Sequence, residues 1–198
     1  MPLTTSKVKT PLGMRRLDFW PIKTEPDKAH PTYDAFVNLG AAVKGYLTVT
    51  TNTATIPGDD ITQVEDEVFS GAQLDTETTM SDLEINAKLF GHSWSDADGE
   101  ESKSSDRAIP GGLSFIEPIL RKDKVLTYRA TCLRKATAIA SSEKQEADTR
   151  KSGELNPKMN AVSFKVVEDS LHSWRVRNDF ETEEAAEAFI KKTFGAAT

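Results

Sequence analysis

The stretch from Phe69 to Trp94 restricts the possible folds more than any other part of the chain. It begins as a strand, crosses an acidic, Thr-rich segment, and then carries one short helical pattern that stops at a glycine. Ser81 stands where an N-cap is wanted, and Glu84 three residues later completes a capping box. Leu83, Ala87 and Phe90 fall on one face, with Ile85 and Leu89 at its edges. Gly91 sits where a left-handed C′ residue belongs. The spacing predicts a helix over 81–90. Nothing in this stretch is catalytic; it reads as a helix packed on β-structure.

The remaining chain supplies that β-structure. Residues 124–140 give the clearest strand: Leu126, Tyr128, Ala130 and Cys132 alternate with Thr127, Arg129 and Thr131. Cys132 then lies on the apolar face as a small buried hydrophobe. Tyr46, Thr48 and Thr50 line one face of an earlier strand, and Leu47, Val49 and Thr51 the other. Asn52 opens a turn-rich piece that ends at Pro57-Gly58-Asp59-Asp60. Residues 61–79 follow as one or two long strands, with Gly71 marking a bulge or bend. Leu113–Pro118, Ala161–Val167 and Ser173–Asn178 complete the strands, and Trp174 points inward. A last helix spans about 183–194, capped by Thr182, with Ala185, Ala186, Phe189, Ile190 and Thr193 as its apolar stripe.

Three segments read as neither helix nor strand, one of them the polar loop 141–158 that ends at Asn156-Pro157. Residues 1–32 hold five prolines and no sustained periodicity, which predicts an extended N-terminal arm anchored by Leu17, Phe19, Trp20 and Ile22. These side chains either meet a partner surface or fold back onto their own core. Residues 95–107 read as a polar loop; its Asp96-Ala97-Asp98-Gly99 piece carries only fragments of a calcium loop. The domain proper is then 33–198. The expected class is mainly β (α+β), a two-sheet β-sandwich or barrel flanked by one short helix, plus the C-terminal helix.

Charge is unevenly distributed. Residues 59–106 carry fourteen acids against two bases, whereas the segments on either side are mildly basic. That pattern suits a chain meeting copies of itself head to tail, and equally a solvated acidic surface. A pI near 5.2 argues against a free-standing nucleic-acid binder. No apolar run approaches a membrane span, and the start of the chain lacks an apolar leader, so synthesis is expected in the cytoplasm. His30, His92 and His172 have no companions at metal-ligand spacing. No phosphate loop, dinucleotide fingerprint or nucleophile elbow is present. No cofactor, metal or catalytic residue is therefore expected.

The order of the pieces resembles that of the major tail proteins, the tail-tube subunits of long, non-contractile-tailed phages of Gram-positive bacteria. The residues that carry it are Gly58-Asp59-Asp60, the acidic strand into Phe69-Ser70-Gly71, and the helix end Ala87-Lys88-Leu89-Phe90-Gly91-His92. After them come Gly111-Gly112 with Phe115, Tyr128-Arg129-Ala130, Ala147-Asp148-Thr149-Arg150 and Trp174. Members often show an Ala-Lys-Leu-Leu-Gly-His-like run; here Phe90 replaces the second Leu. The resemblance covers roughly residues 35–195. It implies a tail-tube sandwich, six subunits per ring, and rings stacked into a virion conduit through which double-stranded DNA passes unbound. Tape-measure and terminator proteins would be the partners. On that basis Asp59, Asp60, Glu65, Asp66 and Glu67 are expected to line or border the lumen. Lys7, Lys9, Arg15, Arg16, Phe19, Trp20, Asp96, Asp98, Glu100 and Glu101 are expected at contacts between subunits or rings. A monomeric β-sandwich binding module, for cell-surface glycan for example, is the alternative. An enzyme using Cys132 or a serine is a further one.

Overall fold

Two long strands form the spine of the molecule: β9 (Pro110–Arg121) and β10 (Leu126–Ala138), joined by a tight turn. The computed structural model describes residues 9–58, 61–79, 82–142 and 160–195. Before the spine come β1 (Lys9–Pro11), β2 (Arg15–Thr24), β3 (Thr32–Tyr33), β4 (Val37–Asn38), β5 (Ala42–Gly58), β6 (Ile61–Thr78), helix α1 (Leu83–Phe90), β7 (Ser93–Ser95) and β8 (Gly99–Glu101). After it come β11 (Asn160–Val167), β12 (Arg175–Phe180) and helix α2 (Glu183–Phe194). The fold is mainly β, with all strand pairings antiparallel among the described residues.

Among the described residues one continuous ten-stranded sheet takes the place of the two separate sheets expected, and β7 and β8 form a second, small one. The sheet folds on itself because its spine strands change partners along their length. β10 pairs β12 through residues 128–133 and β11 through 135–138. A register shift between Leu133 and Ala136 marks the bend. That shift explains a break in the period of two: Leu133, Ala136 and Ala138 all face the same core. Phe19 from β2 and Phe164 from β11 stack across that core with centroids 6.5 Å apart.

Both faces of the spine are covered. Leu113 and Phe115 face the fold-over core, while Ile116, Ala130 and Cys132 face α2. Gly111 and Gly112 open β9 because a Cβ there would stand 2.4 Å from the Phe19 ring and 2.2 Å from the Phe194 ring, respectively. α2 forms where its sequence predicts. Thr182 Oγ1 accepts the Ala185 amide, Glu183 and Glu184 meet the positive end of the dipole, and Gly195 closes the helix at φ 72°. The stripe it buries is Ala186, Ile190 and Phe194; Phe189 instead packs beside Phe180.

α1 corrects one detail. Its N-cap is Asp82, whose carboxylate accepts the amides of Glu84 and Ile85; Ser81 lies outside the described residues. Glu84 makes no capping box and pairs with Lys88 one turn on, at 2.6 Å. Leu83 is exposed, and the buried face is Ala87, Leu89 and Phe90.

The N-terminal segment is the larger correction. Residues 15–24 are a strand of the main sheet, with Leu17, Phe19 and Trp20 buried. The prolines allow this. Pro21 pairs opposite Gly111, and its carbonyl accepts the Asp34 amide at 2.9 Å, so only its missing N–H is lost to the ladder.

Candidate assembly surface

β5 and β6 run as a two-stranded ribbon beyond the rest of the sheet. They contain 17 and 18 residues and pair with each other along almost all of that length. β11 accompanies β6 only over Ala72–Thr78, so among the described residues no third strand joins the ribbon from Gly71 outward. At that point the register slips between the Thr50–Gly71 and Thr51–Phe69 pairs. This is the bulge expected at Gly71, and a bulge strengthens local twist. The piece read as turn-rich from Asn52 is strand to Gly58. Seven residue steps from Thr51 to Gly58, at ~3.3 Å each, carry the ribbon about 23 Å past its last support.

The outer edge of β5 is unpaired along its length among the described residues. Natural edge strands are guarded by charges, proline or cover. β5 has one charged residue, Lys44, which pairs with Glu77 of its own hairpin at 3.5 Å, and one proline, Pro57, next to its outer end. Val43, Tyr46 and Val49 are exposed on it, as is Val68 on β6. At the ribbon's base Phe69 stacks flat on Trp174, centroids 4.6 Å apart. Two-stranded ribbons are marginal in water. Among the described residues this one has both edges open, and Val68 on it is exposed.

The sequence-predicted site residues scatter around this element. Glu67 is exposed in β6, opposite Thr53; Glu65 and Asp66 fall in the same strand opposite Thr55 and Ala54. Asp59, Asp60 and Lys7 lie outside the described residues, as does the Ala147–Arg150 run.

The basic residues assigned to an arm are engaged within the chain. Lys9 pairs with Asp179, Arg15 with Glu183 at 3.6 Å, and Arg16 with Glu187 and Asp18. Phe19 and Trp20 are buried, which removes them from any contact with a neighbour. Of the polar loop, Asp96, Asp98 and Glu101 are exposed, but the segment is partly β7 and β8, turning at Gly99 with φ 78°. Glu100 is inward: it accepts hydrogen bonds from Asn86 at 3.1 Å and meets His92 Nδ1 at 2.7 Å. His92 also stacks on Phe90, so this pair seals α1 to the small sheet.

The chain matches no protein-family model, and no curated protein is detectably similar to it.

Cys132 is fully buried, and burial pushes its thiol up to about 12, so it stays protonated. Among the described residues no three His, Cys, Asp or Glu side chains converge on a common point. Among the described residues no helix is long and apolar enough to cross a membrane. Trp20 is buried and Trp174 stacked, which leaves Trp94 on β7 as the exposed tryptophan.

Sequence reasoning missed one clamp. His30 Nδ1 meets the buried Asp169 carboxylate at 2.6 Å, whose other oxygen accepts the amides of Leu171 and Ser173. Ser170 Oγ donates to the carbonyls of Pro26 and Ala29, each at 2.8 Å. Partners 139 residues apart leave no local signal.

The carboxylates set an acid limit. Burial alone would raise Asp169, but the hydrogen bonds from His30, Ser173 and Leu171 outweigh it and hold its pKa below the ordinary value. Arg129 and then Lys9 lower Asp179 against its burial, and Ser163 and Gln73 lower Asp75. A carboxylate depressed in the folded state contributes stability above its unfolded pKa of ~3.9 and loses it as pH falls through the folded value. Asp18 works the other way, since burial raises it against Asn38 and Arg16. With three groups against one, the urea midpoint should fall steeply below about pH 4. Asp179→Asn should flatten that fall, and an unchanged slope would refute the assignment.

Proposed function

We propose that this chain is a self-assembling structural subunit whose assembled form is the tail tube of a long, non-contractile phage tail. The observation that carries the reading is the bare, almost uncharged edge of β5 on a ribbon that outruns its own sheet. An open edge of this length is a ready template for pairing with a strand of another chain. In a closed ring the neighbouring subunit occupies it, and no edge remains. The resemblance described above supplies the rest: rings of six stacked into a tube, capped by terminator protein, filled by tape measure until DNA passes, and located in the virion.

The acidic stretch Asp59–Glu67 lies in and around the same hairpin by sequence. Acids bordering a bore would keep phosphate from being trapped by counterion-releasing contacts. Basic residues would do the opposite, so a bore lined mainly by Lys and Arg in an assembled tube would contradict this placement.

Negative-stain electron microscopy of the concentrated protein at two salt concentrations tests the proposal. Rings or hollow tubes are expected. Featureless particles at both salts, with a monomer mass by light scattering, would overturn it.

A further inference from the structure

The inner face of the spine changes character toward one end. In register across three strands stand Arg175–Leu133–Leu113, then Arg177–Thr131–Phe115, then Asp179–Arg129–Glu117. The first row begins in the core and the last is charged throughout. Between these rows and the base of the ribbon, at Gly45 and Leu47, lies an open cleft of about 210 Å³. A water takes ~30 Å³ of liquid volume, so the cleft is roomy enough for a small solute as well as solvent.

The charges around it are unequally satisfied. Arg129 holds Asp179 through two nitrogens at 2.8 and 3.3 Å, and Glu117 is its cross-strand neighbour on the other side. Among the described residues Arg175 and Arg177 take part in no ion pair; Glu117, which also lines the cleft, attracts Arg175 without bonding to it, and Arg177 repels it. The Arg175 guanidinium lies 4.2 Å over the Trp174 ring, which leaves its N–H edge open. Thr131 is 1% exposed, lines the cleft, and its Oγ1 has no hydrogen-bond partner. A buried hydroxyl without a partner is costly. Two unpaired guanidinium forks beside an unpartnered hydroxyl donor form the donor set that planar or tetrahedral oxyanions require.

We propose that this cleft is a binding site for a small oxyanion, a phosphate or a carboxylate, held by Arg175, Arg177 and the Thr131 hydroxyl. The site does not depend on the chain forming tubes. Its anion comes either from solution or from a carboxylate of another copy.

Inorganic phosphate is the probe, titrated against chloride at matched ionic strength while thermal unfolding is followed. Wild type should gain about 2 °C or more. Arg177→Gln, an exposed position, should weaken phosphate at least about tenfold with little change in Tm in its absence. Thr131→Val should hold or raise the phosphate-free Tm, because it removes an unsatisfied hydroxyl, yet lose much of the phosphate response. No gain in wild type over chloride, or an equal gain in Arg177→Gln, overturns the proposal. Sedimentation of concentrated protein separates the two sources. Dissociation by phosphate points to another copy's carboxylate, and unchanged sedimentation to an anion from solution.

Discussion

Replacing Trp20 with alanine should cost about 4 kcal/mol, near the top of the range for a single aromatic truncation. For a chain of this size that corresponds to a Tm fall of roughly ten degrees. Trp20 is 1% exposed and joins three parts of the molecule at once. Its ring stacks on Phe194 of α2 at 4.9 Å and 11°, and packs at 4.9 Å against Phe36. Its Nε1 donates to the buried Ser114 Oγ at 2.9 Å, so truncation leaves a second polar group unpaired. Trp20→Phe keeps the stack and loses the hydrogen bond, for about 1–2 kcal/mol. Because α2 covers Cys132, the alanine variant should also label with a thiol reagent many times faster than wild type. A loss under about 1 kcal/mol, or unchanged labelling, would mean that α2 is held by something other than this ring.

How much of this was legible in the sequence depends on whether the determining contacts are local. The strand 126–138, the bulge at Gly71 and both ends of α2 were readable, because alternation, a glycine and a capping threonine act within a few residues. The N-terminal strand was not. Its prolines argued for an arm, and its alternation is broken by a register shift between Arg15 and Asp18, where Arg16 takes φ 56°. A bulge defeats any period-two reading, since it changes the face of every later residue. The ribbon shows the same limit from another direction. Its strands were partly readable, but how far a third strand accompanies it depends on where β11, nearly a hundred residues later, stops pairing. Charges mislead similarly: Lys9, Arg15 and Arg16 look free until β12 and α2 bring Asp179, Glu183 and Glu187 to them.

Shortening the ribbon should separate folding from assembly. Replacing residues 52–68 with Asn-Gly closes the hairpin on the Thr51–Phe69 pair through a two-residue turn. The Phe69–Trp174 stack and the whole β11–β6 ladder remain. The removed segment is paired only within itself among the described residues, so Tm should stay within a few degrees of wild type. Assembly should not survive. If a neighbour's strand adds to the ribbon's edge, losing even three or four backbone hydrogen bonds at about 1 kcal/mol each removes ~3 kcal/mol per contact. That raises the concentration needed for assembly about a hundredfold. Lysines at Thr48 and Thr50, both exposed, should weaken assembly in the same direction without touching the core, because charge on an edge strand opposes pairing with another chain. Light scattering reads both variants. A shortened chain that assembles at the wild-type concentration would show that the ribbon is an appendage and that the contacts lie elsewhere on the sheet. A double-lysine chain that fails while the shortened chain succeeds would place the contact on the supported half of β5, next to the core rather than beyond it.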